Sequence, residues 1–389
     1  MKIALVHDWL TRLGGAERVL IALHKIFPEA PIYTLFYDQK FVSQYLSEAK
    51  ITSSFLQKVP NIKKLHSWFK ILMPTAVESL DLSGFDPAKR GFDIVISSSH
   101  EFSHGVLTKQ KTWHICFYHS PSRILWDRAH EYVNDFRERG RSHFKLSLIR
   151  LGQHFLRLWD QTAAKRPDIV LANSKYVAER IKKYYRREAK VIYPPVSREH
   201  PIREKPLGHS GLFVQNYFLT VSQLYPHKNI DLAISTFKNL SELNLLIIGE
   251  GPEKKRLRKL IGDSVNIKLL GFVSDEELSG YYQNCLAYLI CNEEDFGISP
   301  VEAMSFGKPV LALRQGGAVE TVLEGITGEF FEKTEPDNLA KAAKSMIENV
   351  KDNRYDSGVI KKHSEKFGFE RFKKEILDLV KSLDYNKKT

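Results

Sequence analysis

Short apolar runs alternate with helical patterns twice over, in two series divided by a single proline-rich break. The first series has its runs at 2–8 (KIALVHD), 31–36, 93–98, 114–118, 169–172 and 190–193. The second has them at 218–221, 243–248, 265–270, 287–290 and 309–312, with helical patterns at 230–240 and 252–261. Runs of this length between helices predict strands buried on both faces, hence parallel α/β sheets. The break at 193–210 holds Pro194, Pro195, Pro201 and Pro206 among mixed charges and glycines, the composition of a linker. The expected organisation is a domain over 1–196, a linker over 197–216, and a second domain over 217–366. An amphipathic helix over 367–389 is expected to pack back on the N-terminal domain. In doubly wound domains ligands bind at the carboxyl ends of the strands, so the crevice between the two is the expected site.

The length of 389 residues suits two or three domains, and 43% hydrophobic with 27% charged residues is a globular composition. Cys116, Cys285 and Cys291 are an odd number without CxxC spacing. They argue against a disulfide framework or a cysteine zinc site and for a reducing compartment. The N-terminal apolar run ends at Val6 and Asp8 follows, which is not a signal-peptide pattern, and no window reaches the roughly 20 apolar residues of a membrane span. A cytoplasmic protein is expected, peripheral on the inner face of the cell membrane.

That last expectation comes from charge. The net charge is +12. Residues 1–200 hold 32 basic and 19 acidic side chains, a balance of +13; residues 201–389 hold 26 and 27, a balance of −1. An uneven distribution of this kind points to two surfaces with different partners. Residues 58–73 mix Lys63, Lys64 and Lys70 with Trp68, Phe69, Ile71, Leu72 and Met73. Residues 137–159 set Phe144, Leu148, Leu151, Phe155 and Leu158 at helical spacing, with Arg141, Lys145, Arg150 and Arg157 between them. Both read as basic amphipathic helices suited to an anionic membrane surface. The plainer alternative is that each packs its apolar face on its own domain.

The densest chemistry lies in 291–322. Glu294 follows the strand at 287–290. Glu302 is expected on the first turn of a helix beginning near Ser299, as cap, and Pro300. Between them Phe296, Gly297 and Ile298 present backbone N–H groups at a helix N-terminus, suited to an anionic or hydroxyl-rich ligand. Carboxylates have several acceptor positions for sugar hydroxyls. Elsewhere, Gly14-Gly15-Ala16-Glu17-Arg18 forms a glycine turn between the first strand and helix, where backbone can approach a ligand closely.

These features resemble the retaining, nucleotide-sugar-dependent glycosyltransferases of family four (group 1), whose mark is a Glu, seven residues, Glu motif. The resemblance covers nearly the whole chain. It implies the GT-B fold: two doubly wound Rossmann-like α/β domains facing across a cleft, with a C-terminal helix. It implies that Glu294 contacts donor-sugar hydroxyls, that Glu302 holds the nucleotide ribose, and that the amides of Phe296, Gly297 and Ile298 contact sugar and diphosphate. Gly14 and Gly15 match the loop that closes over the donor phosphate. Residues 117–127 (FYHSPSRILWD) resemble the Tyr-x-His-x-Pro-x-Arg-x-x-Trp-Asp stretch of members that transfer mannose from GDP-mannose, with His119 as the active-site histidine. Ala172-Asn173-Ser174 matches the family's turn before a late helix. One position departs. Where the family carries Arg and Lys on the donor diphosphate, this chain has Gln223 and Lys228. Gln hydrogen-bonds but does not neutralise phosphate, and His227 is the nearby alternative cation.

Other motifs fail. Gly249-EGPEK lacks the third glycine of a dinucleotide fingerprint, and there is no Asp-x-Asp, P-loop or GxSxG. No aromatic platform on a basic sheet suggests nucleic acid. The expectation is a hexosyltransferase, a mannosyltransferase as first choice. It would need no cofactor or metal, with Lys228 and the helix amides stabilising the departing diphosphate in a same-face displacement. The acceptor implied by resemblance and charge is a membrane-associated glycan, such as a polyprenyl-diphosphate oligosaccharide in polysaccharide or O-antigen assembly. A nucleotide-sugar epimerase and a non-catalytic membrane-docking module stay open as alternatives.

Overall fold

The computed structural model describes residues 1–83, 91–138, 140, 142–196 and 216–383. Two compact units emerge: Met1–Pro195 with Phe372–Thr389, and Val196–Arg371. The expected linker lies, all but Asn216, outside the described residues, as does Arg141 of the basic segment.

The first unit is built on a parallel sheet of β1 (Ile3–Leu10), β2 (Ile32–Tyr37), β3 (Ile51–Ser53), β4 (Ile94–Ser99), β5 (Trp113–Tyr118), β6 (Ile169–Ala172) and β7 (Lys190–Val191), in the order β3-β2-β1-β4-β5-β6-β7. Chain progression reverses between β1 and β4, which are neighbours with His7 opposite Ser98. That is the topological switch point where such sheets bind ligands. The strands are apolar at their entry (Ala4, Leu5 and Val6 are fully buried) and polar at their exit, where His7, Asp8, Ser97, Ser98 and Ser99 are buried too.

Three expectations for this part are corrected. Residues 58–73 do not form one helix. They break into Phe55–Lys58, Ile62–Leu65 and the 3-10 segment His66–Leu72, because Pro60 and a left-handed Asn61 interrupt the path. The basic helix begins at His143 and runs to Ala163. The final segment is also interrupted: a 3-10 turn Glu365–Phe367 ends at an extended Gly368, and the helix is Phe369–Lys381. Its Phe372 is buried edge-on against Phe117, within the first unit.

The second unit has β8 (Tyr217–Val221), β9 (Asn244–Ile248), β10 (Ile267–Gly271), β11 (Ala287–Ile290), β12 (Val310–Leu313) and β13 (Gly328–Phe331), all parallel, in the order β10-β9-β8-β11-β12-β13. Its switch point is between β8 and β11. One face packs on helices Ile230–Lys238 and Pro336–Lys351 through a core that includes Phe237, Leu245, Leu289 and Met346. The short, partly polar β3 (ITS) and β13 (GEFF) escape a reading based on apolar runs.

Candidate functional site

At the switch point of the first sheet, strand alternation puts His7 of β1, Ser98 of β4 and Phe117 of β5 in one row on one face. His119, two residues beyond Phe117, returns to that face. Its Nε2 lies 2.8 Å from Ser98 Oγ, and the same oxygen is 3.2 Å from His7 Nδ1. His7 Nε2 faces Glu17 Oε1 at 3.7 Å. Glu17 is a buried first-turn residue of the helix Gly15–Ile26, and its Oε2 accepts the N–H of Gly14 at 2.9 Å. The predicted glycine loop and the predicted histidine are thus joined through three side chains that sequence reasoning did not assign. Burial holds the His119 imidazole down at about 3, with the positive His100 acting the same way, so it is neutral at ordinary pH.

Asp8 fixes the loop after β4. It accepts the backbone N–H groups of His100, Glu101, Phe102 and Ser103 at 2.7–3.0 Å, and His100 Nδ1 is 2.7 Å away. Burial alone would raise the Asp8 carboxyl, but His100 draws it far below the usual carboxylate range. Burial likewise opposes a charged His100, and Asp8 overrides it, raising His100 to about 9. The pair is therefore ionised.

Much of the 117–127 string is framework. Trp126 Nε1 donates to the buried Asp160 at 2.7 Å, and Asp127 pairs with Arg180 and Tyr184. Arg180 also reaches Ser120 and Pro121. The string is stapled to the helices His143–Ala163 and Lys175–Tyr185, leaving His119 as its member at the β1–β4 switch point. Asn173 Nδ2 supports it by donating to the His119 carbonyl at 2.9 Å.

In the second unit, Lys228 comes from the loop after β8 and Glu294 from the loop after β11. Their charged ends meet at 2.5 Å, and Asn292 Nδ2 adds a 3.0 Å bond to Glu294. Burial would raise the Glu294 carboxyl; Lys228 and Asn292 lower it, so it is an anion beside a cation. Gly297, at φ +86°, is the N-cap of the helix Ile298–Ser305, and no side chain caps it. This corrects the expected start: Ser299 is inside the helix and Pro300 is its third residue. Glu302 is accordingly the fifth helical residue, on the second turn. It is 4% exposed, and Tyr282 Oη donates to it at 3.0 Å. Gln223 is exposed on the loop that leads to Lys228, while His227 stacks on Tyr225.

Close backbone contact sets both loops. A Cβ on Gly249 would stand 1.8 Å from the Ser222 carbonyl oxygen, and one on Gly251 2.4 Å from that of Leu224. The failed dinucleotide string therefore seats the Gln223 loop. After β12, Gly316 bridges Glu294, and a Cβ on Gly317 would stand 2.4 Å from Phe296 Cα. These glycines, with Asn292 and Tyr282, were missed as site residues. The Gly-Gly following a strand was the available signal.

The three cysteines are buried and free, and burial raises all three thiols. Among the described residues no helix is long and apolar enough to cross a membrane. The helix His143–Ala163 has two faces. Leu146, Gln153, Leu156 and Asp160 are buried, whereas Phe144, Leu148, Leu151, Phe155 and Leu158 are each more than half exposed. Trp68, Ile71 and Leu72 are exposed as well. For the helix His143–Ala163 the alternative that this apolar stripe packs on its own domain fails, because the buried stripe is a different one; in 58–73 it holds in part, since Met73 is buried and Phe69 packs on the core.

Residues 213–358 match the family of glycosyl transferases group 1. The uncharacterized glycosyltransferase MJ1178 of Methanocaldococcus jannaschii is 29% identical over 212 residues, 54% of this chain and 58% of that protein, so the match spans less than two thirds of it. The alpha-1,3/1,6-mannosyltransferase ALG2 of Dictyostelium discoideum is 22% identical over 98% of each chain. Among solved structures, Anabaena Alr3699/HepE in complex with UDP and glucose superposes with a TM-score of 0.70 at 20% identity, over 98% of this chain and 100% of that one, a likeness of fold. Two Rossmann-like parallel sheets together with the family match give the chain the GT-B fold, and the glycosyl transferases group 1 match lies within its second sheet-bearing part.

Proposed function

We propose that this protein is a retaining glycosyltransferase that moves a sugar from a nucleotide diphosphate to an acceptor hydroxyl. The observation that carries the reading is the Lys228–Glu294 ion pair at the β8–β11 switch point, beside the side-chain-free helix start at Gly297. With donor bound, Lys228 and the amides of Gly297 and Ile298 meet the diphosphate, and Glu294 accepts sugar hydroxyls. Glu302 serves the ribose, and the Gly14–Gly15 loop and His119 serve the sugar from the first unit. The bond from the anomeric carbon to the diphosphate breaks, the acceptor oxygen bonds on the same face, and its proton leaves with the diphosphate oxygen.

Mannose from GDP-mannose is the first donor in this reading. The 117–127 string and the mannosyltransferase names among the relatives support it. Glucose stays in the panel because of the UDP and glucose held by the Anabaena structure. Incubation with GDP-mannose, UDP-glucose and related donors, read by mass spectrometry, tests it. Release of nucleoside diphosphate with sugar transfer is expected; epimerised donor, or no turnover, refutes it. Activity is expected to survive EDTA, and loss restored by manganese or magnesium would overturn metal independence.

The acceptor in this reading is a glycan on an anionic membrane, a polyprenyl-diphosphate oligosaccharide of polysaccharide or O-antigen assembly. The protein then rests on the cytoplasmic face. The exposed Phe144–Leu158 stripe, flanked by the exposed Lys145 and Arg150, supports this by charge complementarity to acidic lipid. Sedimentation with vesicles of phosphatidylglycerol is the test. Leu151→Ser with Phe155→Ser should weaken binding by roughly tenfold or more, at about 0.8 kcal/mol per CH2 withdrawn from lipid. Equal binding to neutral vesicles, or none to either, removes the membrane from the reading.

A further inference from the structure

We propose that Ser98 is a positioning residue that fixes the tautomer of His119, through a directed hydrogen-bond chain His7–Ser98–His119 that the nearby Glu17 carboxylate orients and that leaves His119 Nδ1 as an acceptor. The proposal rests on the glycosyltransferase reading only in taking a donor-sugar hydroxyl as the group that Nδ1 meets.

The direction of the chain follows from its fixed end. Glu17 can only accept when ionised. Burial opposes its charge, but the His7 side chain, the His100 charge and its own backbone N–H keep its carboxyl below the ordinary value. His7 is fully buried, and its Nε2 has the Glu17 carboxylate 3.7 Å away and no hydrogen-bond partner nearer. A lone pair aimed at a carboxylate is repulsive, so Nε2 carries the proton. In the proposed chain His7 holds a single ring proton, on the Nε2 that faces Glu17, so that Nδ1 is its lone pair. Ser98 has one hydroxyl hydrogen and gives it to His7 Nδ1 at 3.2 Å. Its oxygen is then the acceptor for His119 Nε2–H at 2.8 Å. His119, neutral, is left with an Nδ1 lone pair. The register supplies the geometry: His7 and Ser98 are paired residues of adjacent strands, so neither side chain needs to reach.

The orienting Glu17 also accepts the Gly14 N–H of the glycine loop, so loop position and histidine tautomer are coupled. A chain of this kind, which sets which ring nitrogen accepts, acts on specificity because a site built to accept a hydroxyl proton rejects a group that cannot donate one.

The test is long-range proton–nitrogen correlation NMR on full-length protein labelled with 15N-histidine, with His119 assigned by its loss in His119→Gln. The wild type should show Nε2 of His119 protonated and Nδ1 bare. Ser98→Ala should shift His119 toward a mixture with Nδ1 protonated, and Ser98→Thr should restore the wild-type pattern. Turnover in Ser98→Ala should fall about 3- to 10-fold, the worth of one neutral hydrogen bond, and recover in Ser98→Thr. An Nδ1-protonated His119 in the wild type overturns the proposal even if Ser98→Ala fails to fold. So does an unchanged tautomer in a folded Ser98→Ala. If the tautomer depends on Ser98 but no nucleotide sugar is turned over, the relay stands and the glycosyltransferase reading falls.

Discussion

Lys228 Nζ lies 2.5 Å from Glu294 Oε1, although the two residues are 66 positions apart and leave from neighbouring strands on either side of the switch point. Each neutralises the other, so removing one leaves an unpaired charge in a partly buried site. Glu294→Ala should lower kcat/KM by about 10- to 150-fold, the equivalent of roughly 1.5–3 kcal/mol for a charged hydrogen bond. Nucleoside diphosphate release measures it, and wild-type turnover would remove Glu294 from the site. Glu302→Ala should raise donor KM more than it lowers kcat. It should also lower Tm, because the buried Tyr282 hydroxyl loses its acceptor.

Gln223 gives a prediction of opposite sign. It is exposed, so an arginine there has room. Gln223→Arg should add a bidentate cation beside the donor diphosphate, worth about 1–2 kcal/mol after desolvation, and lower donor KM roughly 5- to 30-fold. The gain should shrink in high salt. A higher KM with the fold intact by circular dichroism would show that Gln223 is fitted to this donor; His227→Ala should then be the more damaging change.

The glycines divide by what surrounds them. Gly317→Ala drives a Cβ into the Phe296 backbone, so the Glu294 loop must move. The expected loss is about 1–3 kcal/mol in urea unfolding, with a larger fractional loss of activity. Gly152 lies inside the helix His143–Ala163 with nothing near its Cβ position. Gly152→Ala should stabilise by roughly 0.5–1 kcal/mol and leave activity alone. Equal effects of the two would remove the steric account.

The Asp8–His100 pair sets a pH window. The His100 folded value is raised from 6.5 to about 9, so its stabilisation is complete below 6.5 and is lost as pH rises through 9. The Asp8 value is lowered from 3.8, so its share is present above 3.8 and is lost as pH falls toward its folded value. The pair is at full strength from about 4 to 6.5. Urea midpoints should fall between pH 6.5 and 9 in the wild type and less so in His100→Gln. Parallel slopes in the two proteins would show that His100 is not the group titrating.

The two α/β series were legible from the residues alone, because apolar runs and helical periodicity are local properties. The sequence also marked Glu294, Lys228, His119 and the glycine turn, because these stand in spaced strings just after predicted strands. It did not reach the helix start at Gly297, where a positive φ placed the cap two residues before Ser299, nor the second-turn position of Glu302. It did not separate the two stripes of the helix His143–Ala163, since spacing names apolar faces without saying which one the sheet covers. Above all, it is in the folded chain that His7, Ser98 and Glu17 meet near His119, that Asp8 holds the loop after β4, and that Gly249, Gly251, Gly316 and Gly317 seat the site loops. Strand order and register make those contacts, and both are settled by packing between segments far apart in the chain, where no local pattern carries the information.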